Sequence, residues 1–202
     1  MSVKLITPVA ILSYPSLFEA RSYNGGAAKY STALVFPKGS DLKPLKEAIK
    51  EVAKERFGDK AASILKNNNP LRTDVEEKGY PDGATFFNAK STRQPQIVSR
   101  YADPKTGKPV VIDEEAATEP DGPNEMYPGV LVKAYISVYA YDTSGNRGVA
   151  FGLEGLQRWD EGERLDGVRA VNVFEAEMPA EADIADLNGE SDEDESGIDD
   201  IL

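Results

Sequence analysis

Val-Leu-Val-Lys-Ala-Tyr-Ile-Ser-Val-Tyr-Ala-Tyr, residues 130–141, alternates between two kinds of side chain, and that alternation decides the fold. The even positions, Val130, Val132, Ala134, Ile136, Val138 and Ala140, are small and mostly β-branched. Successive side chains of a strand point to opposite faces, so this set forms the face pressed on a core. From Lys133 onward the odd positions are Lys133, Tyr135, Ser137, Tyr139 and Tyr141. They give the other face a cation, a hydroxyl and tyrosine rings with polar tips, the makings of a contact surface. Asp142-Thr-Ser-Gly145-Asn146-Arg-Gly148 then gathers residues that accept positive φ, and a second strand resumes at Val149-Ala-Phe151-Gly-Leu153. The two strands form a hairpin. Tyr127-Pro128-Gly129 fixes how it begins, and Leu156-Gln157-Arg158-Trp159 brings the only Trp to its far end.

Working outward, residues 3–20 lean towards β and are interrupted by Pro8 and Pro15, which fits one strand that bends or lies at an edge; it carries Tyr14 and Phe18. Residues 29–36 read as the next strand. Leu42, Leu45, Ile49, Val52, Ala53 and Phe57 recur at helical spacing behind Ser40 and Asp41, which predicts a main helix over about 41–57, stopped by Gly58. A shorter helix is expected over 60–66 and a long surface loop over 67–83. Short strands follow at 85–91, 96–101 and 110–112, with an acidic loop at 113–125. The chain is therefore mainly β, with no repeated βα unit to argue a parallel sheet. A small curved β-barrel of the OB-fold type satisfies this order, and a β-sandwich competes with it.

The formal charge of −12 is unevenly placed. Of the 35 acidic residues, 12 lie in 175–202, where there is no Lys or Arg, which leaves 23 acids against all 23 bases in 1–174. That partition predicts a neutral folded domain over 1–174 and a disordered acidic C-terminal tail over 175–202. With no Cys and no His, a disulfide framework, a thiolate nucleophile, an imidazole base and the common zinc sites are excluded. No catalytic residue, metal site or cofactor is expected. The acids at Asp74, Glu76 and Glu77 beside Lys78, or at Asp113, Glu114 and Glu115, are what a metal-dependent nuclease would need, but they read as solvated loop residues. No apolar run reaches membrane length and no signal segment precedes the fold, so a cytoplasmic protein with no membrane partner is expected.

Within the neutral domain, residues 85–112 form a basic island: Lys90, Arg93, Arg100, Lys105 and Lys108 against Asp103, with Phe86, Phe87 and Tyr101 among them. Cations that track phosphates and rings that stack on bases are the parts of sequence-tolerant single-strand binding, at about 1 to 3 kcal/mol per stacked base. The candidate binding residues are Tyr14, Phe18, Phe87, Lys90, Arg93, Arg100, Tyr101, Lys105, Lys108, Lys133, Tyr135, Tyr139 and Tyr141. Any one of these rings could equally sit in the core or at a subunit contact, and Phe86 and Phe87 cannot both face the same way. At the end of the tail, Ile198-Asp199-Asp200-Ile201-Leu202, apolar residues return after the acidic run, and a tip of Asp199, Asp200, Ile201 and Leu202 suits docking to a partner or transient occupation of a basic groove.

Tyr127-Pro-Gly129, the strand after it, Gly148-Val-Ala-Phe-Gly-Leu153, Asp160-Glu-Gly-Glu-Arg164 and Phe87-Asn-Ala-Lys-Ser91 together resemble the small OB-fold single-stranded-DNA-binding proteins of tailed bacteriophages. The acidic, apolar-tipped terminus is similar to that of bacterial single-stranded-DNA-binding proteins, without their closing Pro-Phe. The resemblance implies an OB barrel that covers single-stranded DNA in phage replication, recombination and repair, in the host cytoplasm. It also implies recruitment of a polymerase, helicase or recombinase, of phage or host, through the tail. A virion or assembly protein using the tyrosine face as a subunit interface is the alternative. Because the helix at 41–57 falls early for an OB order, one further strand is expected before it.

Overall fold

The expected hairpin is a pair of long antiparallel strands, β7 (Leu131–Thr143) and β8 (Asn146–Asp160), in a computed structural model that describes residues 1–22, 25–75, 78–143 and 145–167. Val130, Val132, Ala134, Ile136 and Val138 are all fully buried, as the alternation requires. On β8, Val149, Phe151 and Leu153 face the same core. The register then shifts, with Ile136 opposite Leu153 but Tyr135 opposite Gly155, so Glu154 is the extra residue of a bulge. A period of two would otherwise turn Leu156 outward, and the bulge returns it to the core. The strand read at 149–153 therefore continues to Asp160.

Three more strands close this hairpin into a barrel. β2 (Ala10–Arg21) pairs with β7 and with β3 (Lys29–Phe36), β3 pairs with β4 (Thr85–Ser91), and β4 runs parallel to β8. The ring β7, β2, β3, β4, β8 returns on itself through the β7–β8 pairing. Closure leaves these strands no open edge and sets the sandwich aside. β1 (Ser2–Ile6) lies against β7 opposite residues 135–139. β5 (Gln96–Ala102) takes over from β4 along the edge of β8, with β6 (Pro109–Val111) outside it.

α1 (Lys43–Phe57) matches the helical spacing and buries Leu45, Ala48, Ile49, Val52 and Ala53 against the barrel core. Asp41 accepts a hydrogen bond from the Lys43 N–H at 3.0 Å, which serves one of the free donors at the helix start. α2 (Ala61–Asn67) follows after one 3₁₀ turn.

Other expectations change. Pro8, which has no N–H to give a ladder, separates β1 from β2, so the single bent strand is two and the early helix follows three strands. The predicted surface loop at 67–83 instead buries Leu71, Val75 and Tyr80. Val75 and Tyr80 join Val35, Ala84 and Phe86 in a second, smaller apolar cluster. The acidic loop contains a short helix, α3 (Glu114–Thr118), whose N-cap Asp113 accepts the Ala116 N–H at 2.9 Å. The compact unit runs Met1–Asp166. The boundary expected at 174 and the acidic tail lie outside the described residues.

Candidate nucleic-acid interface

In chain order the barrel strands are β2, β3, β4, β7 and β8, and in an OB barrel the outer face of the second and third strands is where oligonucleotides and oligosaccharides lie. Here that face belongs to β3 and β4. Phe87 and Ala89 of β4 point into the core, so Phe86, Asn88 and Lys90 point out. The segment at 70–84 folds across the same face, pinned by a pair of backbone hydrogen bonds between Arg72 and Phe86 at 2.8 and 2.9 Å. It brings the Arg72 guanidinium to 5.2 Å and Lys78 Nζ to 5.7 Å from the Phe86 ring centroid. Tyr80 meets Phe86 edge-on at 5.2 Å and donates its hydroxyl to Ser13 Oγ at 3.0 Å. Burial pushes the Tyr80 phenol up, so it stays a neutral donor.

The groove so formed is lined by Tyr14, Arg72, Lys78, Tyr80, Phe86, Asn88 and Lys90 over a floor of Ser31, Thr32 and Ala33. Phe86 is only 2% exposed, so it serves as the support on which Arg72 and Lys78 are held. Tyr14 is different: its ring is 66% exposed. It sits where the β2–β3 register shifts between Ser13 and Ser16, with φ at 46°, a left-handed conformation that costs a non-glycine residue about 1 to 3 kcal/mol. Pro15 next to it reinforces the irregularity. One exposed ring and three cations thus share a groove whose described lining includes no carboxylate, with Asp74 beside it, bonded to Arg72 at 2.7 Å. The Arg72 guanidinium holds that carboxyl below its ordinary value. Asp74 therefore has an ion-pairing role, and Asp113 has its helix cap; Glu76 and Glu77 lie outside the described residues.

The other rings stand elsewhere. In the ring of strands, β7 is separated from β3 by β2 and from β4 by β8, so its outer face looks away from the groove. That far face carries Tyr135 at 44% and Tyr139 at 39% exposure, beside Ile6 and Lys4 of β1. Lys4 pairs with Glu154 at 3.2 Å and lies 5.7 Å from the Tyr135 ring; Glu154 is held low by a hydrogen bond from Ser137 and by Lys4. Tyr141 covers Gly148, where a Cβ would come within 2.8 Å of its hydroxyl. Phe87 requires a correction: it is 1% exposed, stacked on Phe36 at 5.6 Å and against Phe151 at 4.0 Å, so no base can reach it. Phe18 is likewise packed against the core rather than free. Arg93, Arg100, Tyr101, Lys105 and Lys108 are exposed on β5, the β4–β5 turn and the turn to β6.

Of the expected residues, the groove thus contains Tyr14 and Lys90; Arg72, Lys78, Tyr80, Phe86 and Asn88 were missed. Strand parity held a usable signal for two of them, since Lys90 shares its face with Asn88 and Phe86 and not with Phe87. Nothing in the sequence places 72–80 on that face, because the contact is made across the fold.

Two of the motifs quoted from the sequence meet at the barrel's end. The Tyr127 hydroxyl accepts the Gly162 N–H at 3.0 Å and donates to Glu161 Oε2 at 2.8 Å. Arg164 grips the buried Glu125 carboxylate through both oxygens at 3.2 Å and lies 4.2 Å from the Tyr127 ring, while Arg158 pairs with Glu161. Gly129 and Gly162 are required here: a Cβ on the first would stand 2.0 Å from the Glu163 carbonyl oxygen, and on the second 2.1 Å from that of Gly129. The clasp fixes residues 160–166 across the start of β7.

A closed five-stranded barrel with cations and an exposed ring over its second and third strands has the architecture of an OB-type barrel, with a face suited to a polyanion. Over residues 3–185 the chain matches the family described as the ssDNA-binding protein of Enterobacter phage Enc34, and it belongs to that family. A relative named p50, from Acyrthosiphon pisum secondary endosymbiont phage 1, is 31% identical over 175 residues, covering 81% of this chain and 87% of p50. Among solved structures, the single-stranded DNA-binding protein from bacteriophage Enc34 in complex with ssDNA aligns with a TM-score of 0.61 at 19% identity, over 81% of this chain and 88% of that one. The single-stranded DNA-binding protein gp2.5 of bacteriophage T7 aligns with a TM-score of 0.50 at 16% identity, over 98% and 100%. These likenesses carry the fold, and the family is one of binding proteins, not enzymes. The phage resemblance read from the motifs is therefore correct.

Proposed function

We propose that this protein binds single-stranded DNA without reading its sequence, through the β3–β4 groove. The observation that carries this is the exposed Tyr14 ring standing beside Arg72, Lys78 and Lys90. A base stacks on the tyrosine while the cations follow the phosphates, contacts that every base and every phosphate offers alike. The ssDNA-bound state of the Enc34 protein supports the reading. The biological role that fits is cover for single strands in phage DNA replication, recombination and repair, in the host cytoplasm; no helix among the described residues is long and apolar enough to cross a membrane. Recruitment of a replication polymerase, helicase or recombinase through Asp199, Asp200, Ile201 and Leu202 completes the proposal; these residues, and the competition of the tail with DNA, lie outside the described residues.

The test is fluorescence anisotropy with single- and double-stranded oligonucleotides of one length over a salt series. Single strands should bind more tightly, with a log–log salt slope of roughly −0.7 per phosphate neutralised. Replacing Arg72, Lys78 and Lys90 together by Ala should make that slope about 2 units shallower. Duplex binding that equals or exceeds single-strand binding would refute the proposal.

A further inference from the structure

Beyond the groove, the only tryptophan sits in an arrangement that the groove does not use. Lys133 Nζ lies 3.5 Å and the Arg100 guanidinium 4.7 Å from the Trp159 ring centroid. Arg100 also bonds the Trp159 carbonyl at 3.3 Å and Asp160 Oδ2 at 3.1 Å, and lies 5.8 Å from the ring of Tyr101, which is 72% exposed. Two cations brought to one indole repel each other, and Asp160 offsets only one of them. The imbalance grows outward, because the β5–β6 turn carries exposed Lys105 and Lys108, while its Asp103 carboxylate is committed to the Lys105 and Thr106 N–H groups at 2.8 Å. Such a site is complementary to an anion that also offers a flat ring.

The path from the groove to this site is continuous. β4 and β5 follow each other along the same edge of β8, Lys90 opposite Gly152 and Val98 opposite Gln157. At about 3.3 Å per residue, the pairing points stand about 17 Å apart. Ile97 points into the core as Ala89 does, so the Gln96 and Val98 positions share the outward side with Lys90, and exposed Arg93 lies in the turn between. We propose that the Arg100–Trp159–Lys133 cluster, with Tyr101, Lys105 and Lys108, is a second single-stranded nucleic-acid contact, reached by a strand that leaves the groove past Lys90 and Arg93. This rests on the groove reading and adds to it: the site is bipartite, and its second half engages only strands long enough to span both.

Trp159 is the chain's only tryptophan, so its emission reports this surface without labelling. The full chain is titrated with oligothymidylates of about 5 and about 16 nucleotides, lengths that bracket the usual reach of one OB barrel. Anisotropy should show both binding, and only the longer should quench Trp159. In R100A, and in a K105A/K108A double variant, affinity for the longer strand should fall about tenfold while the shorter binds as before. The double variant should also lose about 1.4 units of salt slope. Equal quenching by both lengths, or quenching by neither while both bind, overturns the second contact and leaves the groove standing. Failure of both lengths to bind overturns the groove reading itself. An R100A or K105A/K108A variant that alters sedimentation but not affinity would overturn the contact and assign this surface to a second copy of the chain.

Discussion

The outer face of β3 and β4 and the outer face of β1 and β7 carry similar residues, aromatic rings beside lysines, yet they are different surfaces. On the first, an irregular segment at 70–84 packs over the strands and spends its apolar residues on Phe86, so that Arg72 and Lys78 stand up from a buried base and Tyr14 is left free. On the second, β1 and β7 pair in unbroken register; Lys4 is occupied by Glu154, and Tyr135 and Tyr139 lie half exposed among neighbours of their own sheet. Composition alone does not make an interface. What distinguishes the two is position in the barrel and how many cations share one place: on the first face Asp74 offsets Arg72, and Lys78 and Lys90 stand in the same groove.

Substitutions can break this comparison in order of expected size. Phe87→Ala, which removes the ring between Phe36 and Phe151, should cost about 3 to 5 kcal/mol of stability in denaturant unfolding. The fraction still folded should bind DNA with unchanged affinity; a selective loss of affinity would show that the interior ring is functional. Tyr14→Ala should weaken single-strand binding by about 1 to 3 kcal/mol with little loss of stability, because it removes an exposed stacking ring and leaves the left-handed backbone as it was. Tyr139→Ala should change affinity by less than about 0.5 kcal/mol, as surface changes away from a site do. An effect as large as that of Tyr14 would merge the two faces into one interface.

The smallest effect concerns Asp74. Its carboxyl is held below the ordinary 3.8 by Arg72, so the ion pair is complete at neutral pH and is lost only as pH falls through the depressed folded value. Protonation there removes a negative charge from the rim of the groove. DNA affinity should therefore rise modestly in the native protein only as pH falls through that depressed value, below 3.8. Asp74→Asn should bind slightly more tightly at pH 7 and lose that acid-side rise. Identical pH profiles for the two proteins would show that Asp74 does not attenuate the groove.

Residue order was sufficient wherever the physics is local. The two-residue period of 130–141 set β7 and its buried face, the spacing of Leu45, Ile49 and Val52 set α1, and the charge partition separated the basic island from the acidic C-terminal stretch, because periodicity and net charge need no knowledge of neighbours in space. Tertiary structure alone decided the rest. The bulge at Glu154 keeps Leu156 inside although its parity points out, and Pro8 splits one apparent strand into two that pair with different parts of β7. Phe86 and Phe87 look alike in sequence, and only closure of the barrel decides which one meets Phe151 and which meets Arg72. The groove itself joins β2, β4 and a segment at 70–84, and such contacts arise from long-range pairing and burial, for which a linear pattern has no counterpart.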